Sequence, residues 1–144
     1  MVKQIAIING PNLNLLGTRE PEVYGNQTFE QYFEVLQKRF SDCSLTYFQS
    51  NVEGELVNRI QECDSFDAIV LNAAAYSHTS IAIADAVAAI STPVIGVHIS
   101  NIYQREKERH TDILAGACKA CLFGFGLEGY SLAIDFIKSE LNEQ

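Results

Sequence analysis

Arg19 and Tyr24 lie five positions apart in the segment Asn9-Gly-Pro-Asn-Leu-Asn-Leu-Leu-Gly-Thr-Arg-Glu-Pro-Glu-Val-Tyr-Gly25, a stretch rich in Asn, Gly and Pro. A phenol ionises near pH ~10, so a tyrosine acts as a base only beside a fixed positive charge. Arg19 is spaced to give that charge to Tyr24. Structureless connections longer than about 12–15 residues are uncommon in compact domains and tend to be lids or binding loops. The plainer alternative is a surface loop in which Arg and Tyr fall together by chance.

Further reactive side chains close two later apolar runs. Asn72 ends one and leads to Tyr76 and His78; His98 ends another and is followed by Ile99, Ser100 and Asn101, with Arg105 and Arg109 downstream. Histidine is the side chain whose ordinary pKa suits proton transfer near neutral pH. Each has a structural alternative: His78 as part of the cap of a helix starting near Thr79, His98 as a polar residue satisfied at a strand edge. His110 reads as a solvated helix residue. A metal site using both His78 and His98 lacks the carboxylate or Cys ligands expected beside them at these strand ends.

The elements that must position these groups alternate along the chain. Residues 3–9 are an apolar run of the kind that forms a buried parallel strand. Thr28 and Gln31 make a capping-box pattern, and Phe29, Tyr32, Phe33, Leu36 and Phe40 follow at helical spacing, so a helix is expected over 28–40. A strand over 43–49 and a helix over 53–63, with Leu56, Val57 and Ile60 inward, come next. A third strand covers 67–72. An alanine-rich helix over 79–90, capped by Thr79 or Ser80, is stopped by Pro93 before a strand over 94–98. A short helix over 104–110, a strand over 117–123 and a final helix from Gly129 or Tyr130 to Leu141, through Leu132, Phe136 and Ile137, complete the order.

Strands alternating with helices imply a parallel sheet with right-handed crossovers. At 144 residues the natural arrangement is a flavodoxin-like three-layer α/β fold, a five-stranded parallel sheet of order 2-1-3-4-5 with helices on both faces. Ligands bind such sheets beyond the carboxyl ends of the strands, so Asn9, Asn12, Asn14, Asn72, His78 and His98 should converge on one crevice. Two other uses of the fold fail at those positions. A flavin site would want hydroxyl residues where Gly10-Pro-Asn-Leu-Asn stands, and a receiver domain would want acids at strand ends that carry Asn9 and Asn72.

A formal charge of −8 argues against a nucleic-acid partner, and an anionic small substrate would need a local arginine cluster such as Arg19, Arg105 and Arg109. The apolar runs are too short and interrupted to cross a bilayer and no secretory leader is evident, so the expectation is a single cytoplasmic domain over 1–144 with no membrane association. Cys118-Lys-Ala-Cys121 has redox or metal spacing, but on a strand these two would face opposite ways, so all four cysteines read as buried free thiols. Asp85, an acid in an alanine-rich helix, hints at a subunit contact.

The segment 9–25 closely resembles the signature of the type II 3-dehydroquinate dehydratases. The resemblance runs on through Gln49-Ser-Asn-Val-Glu-Gly-Glu-Leu56, Ala75-Tyr-Ser-His-Thr-Ser80, Val97-His-Ile-Ser-Asn-Ile102, Arg105-Glu, Arg109-His110, Gly124-Phe-Gly and Gly129-Tyr130, covering essentially the whole chain. It implies a hydro-lyase without metal or organic cofactor that converts 3-dehydroquinate to 3-dehydroshikimate by anti elimination through an enolate. It further implies Tyr24 as the base, Arg19 as the group holding it ionised, Asn12 as the holder of a water on the enolate oxygen, and His98 as the general acid. The turn at Ile99 and Ser100 would bind the substrate carboxylate, and Asn72, His78 and Arg109 its hydroxyls. Arg105 would lie near the lid. Trimers packed into a dodecamer are implied, with Asp85 reaching toward a neighbouring subunit's site.

The chain departs from the family pattern at Gly96, where Glu is usual; at Ala73-Ala74, where Pro and a small residue, often Gly, are usual; and at Glu108 and Asp112-Ile113. Residues two apart on a strand share a face, so the usual Glu would orient His98. Its absence motivates a second expectation, a catalytically weak relative that binds a cyclic polyol acid as sensor or scaffold.

Overall fold

A computed structural model of the chain describes residues 2–18, 22 and 26–142. Five strands, β1 (Lys3–Asn9), β2 (Cys43–Gln49), β3 (Ala68–Asn72), β4 (Val94–His98) and β5 (Ala120–Phe123), form one parallel sheet in the expected order β2-β1-β3-β4-β5. Among the described residues four helices, α1 (Phe29–Arg39), α2 (Glu53–Glu62), α3 (Ile81–Ala89) and α4 (Glu128–Asn142), cover it. Because side chains alternate along a strand, β1 and β3 must be apolar on both faces. Ile5, Ile7 and Val70 pack with Leu36 of α1 and Ile134 of α4, while Ala6, Ile8, Ile69 and Leu71 pack with Leu56 and Ile60 of α2 and Ile83 of α3.

Local signals set the helix starts. The Thr28 hydroxyl accepts from the Gln31 N–H and the Gln31 side chain accepts from the Thr28 N–H, the reciprocal capping box. Ser80, not Thr79, caps α3 by accepting from the Ile83 N–H. Four expectations need correction. The short helix over 104–110 is two separate 3-10 turns, Ile102–Gln104 and Lys107–Arg109. The last strand begins only at Ala120, because Ala115–Ala117 form another turn. In α4, Tyr130, Ala133, Ile134 and Ile137 face the sheet, whereas Leu132 and Phe136 are substantially exposed. Of the cysteines only Cys63 is buried; Cys121 is exposed, with Cys43 and Cys118 half-buried.

The carboxyl ends of the central strands are tied together. Asn9 is in register with Gln49 on one side and Asn72 on the other. The fully buried Tyr130 hydroxyl donates to Asn9 Oδ1 at 2.8 Å and accepts from Asn72 Nδ2 at 2.9 Å. Burial pushes the Tyr130 phenol far above its ordinary pKa, so it remains a neutral donor. Just beyond, the Gly10 N–H donates to the Asn72 carbonyl at 2.7 Å, and a Cβ on Gly10 would stand 2.5 Å from the Ala73 carbonyl oxygen. Only glycine admits that approach.

Tyr130→Phe keeps the ring packed against Phe29 but strands two buried amide groups. It is expected to lower stability by about 1–3 kcal/mol, measured by urea unfolding; a change below ~0.5 kcal/mol would show that water replaces the hydroxyl.

Candidate active site

A cleft of roughly 540 Å³, its open mouth included, lies at the carboxyl ends of β1, β3 and β4. Asn12 and Leu13 line it from the loop after β1; Asn72, Ala74 and His78 from the end of β3 and the turn that follows. The end of β4 contributes His98, Ile99 and Ser100, and the 3-10 turns after it bring Arg105 and Arg109. Of the residues expected to converge here, Asn12, Asn72, His78 and His98 do, whereas Asn9 is fully buried against Tyr130 and Asn14 is exposed outside the lining. Arg19 and Tyr24 lie outside the described residues. Asp85 is not in this cleft; it is exposed on α3.

The loop after β1 is held by amides. Asn12 takes a left-handed backbone, φ 70°, and its N–H donates to Asn51 Oδ1 at 2.9 Å. The same Asn51 oxygen accepts from Gln49 Nε2, and the Asn51 carbonyl accepts from the Tyr76 hydroxyl at 2.8 Å. The Asn12 side chain makes no capping bond to the turn Leu13–Leu15 and is left to the cleft. Tyr76 thus buttresses the site rather than lining it, and Asn51 is a supporting residue that sequence reasoning missed.

Across the cleft, Asn72 has its amide partly committed: Oδ1 accepts from the Ala74 N–H and Nδ2 donates to Tyr130. Ala74 has φ 53°, the left-handed region, at a position where the resembling family often has Gly. At this departure the turn thus takes a left-handed backbone with alanine rather than glycine.

Both histidines are oriented by one segment, residues 111–113. His78 Nδ1 donates to the Thr111 carbonyl at 2.8 Å, and the Ile113 N–H donates to the Ser77 carbonyl at 2.8 Å. His98 Nε2 lies 2.8 Å from Asp112 Oδ2, the two side chains being 9% and 13% exposed. The His78 and His98 rings stack with centroids 5.8 Å apart. His78 therefore does not cap α3, and a carboxylate does accompany His98, delivered by a distant loop rather than by the strand. His110 is in no helix; its Nε2 donates to the Arg105 carbonyl. Arg109 pairs with Glu106 at 2.6 Å and still borders the cleft.

Burial raises the Asp112 carboxyl pKa, but the His98 hydrogen bond and the N–H groups of Leu114 and Ala115 outweigh it and hold the carboxyl below its ordinary value. Behind His98, the space above Gly96 is filled by sulfur. A Cβ there would meet Cys121 Sγ at 3.1 Å and Cys118 Sγ at 3.4 Å, so the two thiols converge instead of facing opposite ways. Cys118 lies before the first residue of β5, outside strand alternation. The hydrogen bond to Cys121, with burial second, pushes the Cys118 thiol up, and the same bond holds the Cys121 thiol down. Among the described residues no three His, Cys, Asp or Glu side chains are grouped to hold a metal ion, and no helix is long and apolar enough to cross a membrane.

Comparison with known proteins gives a consistent result. The family model described as Dehydroquinase class II matches residues 3–138. A 3-dehydroquinate dehydratase of Aliarcobacter butzleri (strain RM4018) is 49% identical over 97% of this chain and 87% of its own length. A 3-dehydroquinate dehydratase of Clostridium botulinum (strain Loch Maree / Type A3) is 48% identical over 98% of each chain. The crystal structure of a type II dehydroquinase from Butyrivibrio crossotus DSM 2876 superposes with a TM-score of 0.92 at 40% identity, covering 95% of this chain and 98% of that one.

Two measurements follow from the geometry. A left-handed L-residue costs roughly 1–2 kcal/mol, against roughly 0.5–1 kcal/mol for the entropy of a glycine. Ala74→Gly is thus expected to be neutral or stabilising by up to ~1.5 kcal/mol in denaturant unfolding, and a loss would show that the Ala74 methyl group packs productively. For Asp112 the folded pKa is depressed, so its stabilisation is present above the unfolded value near ~3.9 and is lost as pH falls through the folded one. Asp112→Asn should be less stable than the parent at neutral pH, with the gap closing in acid. A gap independent of pH would contradict this.

Proposed function

The chain belongs to the class II dehydroquinases, and from that premise we propose how it removes water from 3-dehydroquinate. Tyr24, ionised beside Arg19, takes the proton α to the ketone. Holding a phenol about two units below its ordinary pKa needs ~2.7 kcal/mol of differential stabilisation, within reach of a close guanidinium. The electron pair moves onto the ketone oxygen as an enolate, stabilised through a water held by Asn12 in an oxyanion-hole role. The enolate then collapses, the carbon–oxygen bond to the departing hydroxyl breaks, and His98 protonates that hydroxyl so that it leaves as water. Base and acid act from opposite sides, giving an anti elimination. Return of the Tyr24 proton to His98 through solvent closes the cycle.

The observation that carries this reading is the oriented His98 in a cleft walled by amides and arginines. Arg105 and Arg109 offset, locally, the repulsion that a chain of charge −8 exerts on a substrate carboxylate. The turn at Ile99 and Ser100 would take that carboxylate, and Asn72, His78 and Arg109 the ring hydroxyls. The binding-only alternative rested on Gly96 leaving His98 without a carboxylate partner. Asp112 removes that ground.

The pathway assignment is to aromatic amino acid biosynthesis or to quinate breakdown, and the location to the cytoplasm. Assembly into trimers, and of trimers into a dodecamer, is supported by α3, whose outer face exposes Ile81, Ala82, Ala88 and Ala89 around Asp85. A helix apolar on all sides is normally buried on all sides, and Asp85 would then reach a neighbouring subunit's site.

Adding 3-dehydroquinate and following the ultraviolet absorbance of the conjugated enone tests the activity; no turnover by folded oligomer would sink it. Tyr24→Phe is expected to lower kcat by about 10²–10⁴-fold with substrate binding, measured calorimetrically, largely kept. Near-normal turnover in that variant would remove Tyr24 as the base.

A further inference from the structure

Taking the reaction proposed above as its basis, we infer that Asp112 is the positioning residue for His98: its carboxylate holds the imidazole with Nε2–H toward Asp112, leaves Nδ1 for the substrate, and stabilises the imidazolium that delivers the proton. An ionised carboxylate only accepts hydrogen bonds, so a 2.8 Å contact with Asp112 Oδ2 obliges His98 Nε2 to carry hydrogen. His98 Nδ1 has no hydrogen-bond partner among the described residues, and the ring borders the cleft.

The carboxylate is itself immobilised. Asp112 Oδ1 accepts from the Leu114 N–H at 2.9 Å and the Ala115 N–H at 3.2 Å, leaving Oδ2 for the ring. A partner fixed this way orients a histidine without reorganising when the proton moves. The charged or titratable groups around the ring and its cleft are, by element, His78 from the turn after β3, Asp112, Arg105 and Arg109 from the connection after β4, and the Cys118 and Cys121 thiols on the β5 side; the loop after β1 contributes the neutral Asn12 among the described residues. Asp112 is the acid among them in contact with His98.

The packing explains why the carboxylate comes from a loop. Position 96 shares a face with His98, but the Cys121 and Cys118 sulfurs sit 3.1 Å and 3.4 Å from where its Cβ would be. A side chain there would press on Cys121 Sγ, which would have to give by a few tenths of an ångström, and would lie in contact with Cys118 Sγ. Gly96, the thiol pair and Asp112 therefore form one arrangement in which sulfur fills the strand-side space and the carboxylate approaches across it.

A purely structural Asp112 would only accept from the Leu114 and Ala115 N–H groups, and an asparagine Oδ1 can accept those two bonds as well. Asp112→Asn thus separates the roles: it keeps the local turn bonds and removes the charge. The expected result is a kcat about 10–100-fold lower with KM little changed. Independently of turnover, ¹⁵N-resolved imidazole spectra of the unmodified protein should show neutral His98 as the Nε2–H tautomer, with that preference weakened in Asp112→Asn. A neutral ring protonated at Nδ1, or an unchanged kcat in the variant, would overturn the assignment. Should the parent fail to dehydrate 3-dehydroquinate, the proposed reaction falls, while the tautomer spectrum still decides the role of Asp112.

Discussion

One buried hydroxyl organises the working end of this protein. Tyr130, carried by α4, bonds at once to Asn9 and Asn72, the last residues of the two central strands. Neither strand end can shift along the sheet without stranding an amide in a dry interior, where an unmade hydrogen bond costs roughly 1–3 kcal/mol. The close contact of Gly10 with Ala73 locks the same place by steric exclusion. The loops that leave these strands, with Asn12 on one side and His78 on the other, thereby start from defined points.

Orientation of the reactive rings is then supplied from outside the sheet. The stretch 111–113 holds His78 by a carbonyl, His98 by a carboxylate and the turn at Ser77 by an N–H. Positive charge enters from the neighbouring turns through Arg105 and Arg109. Against the acidic character of the chain as a whole, two guanidiniums thus border the cleft, where short distance and partial burial make each charge count most. A single segment that contacts both histidines also couples their geometry, since moving Asp112 moves the Thr111 carbonyl with it.

Much of this was legible in linear sequence where the controlling interactions are local. The capping box at Thr28 and Gln31, the apolar runs of the buried central strands and the helical spacing of Leu56 and Ile60 all act within a few residues, and these elements appear where their patterns predict. Reading failed where the deciding contact is distant. Leu132 and Phe136 match the helical period, yet the sheet takes the Tyr130, Ala133, Ile134, Ile137 face. Cys118 and Cys121 would diverge on a regular strand, but the strand begins after Cys118, and both sulfurs turn toward Gly96.

The sequence by itself determined the order of strands and helices, the polar residues at the strand ends and the family the chain belongs to, because propensity, capping and motif spacing are written in neighbouring residues. Only the tertiary structure decided how His98 is held. Gly96 and Asp112 each look like an isolated departure along the chain. In space, sulfur fills the room above Gly96 while Asp112 supplies a carboxylate to the same imidazole. A hydrogen bond depends on through-space distance and on what else occupies the volume, and neither quantity is encoded in sequence separation.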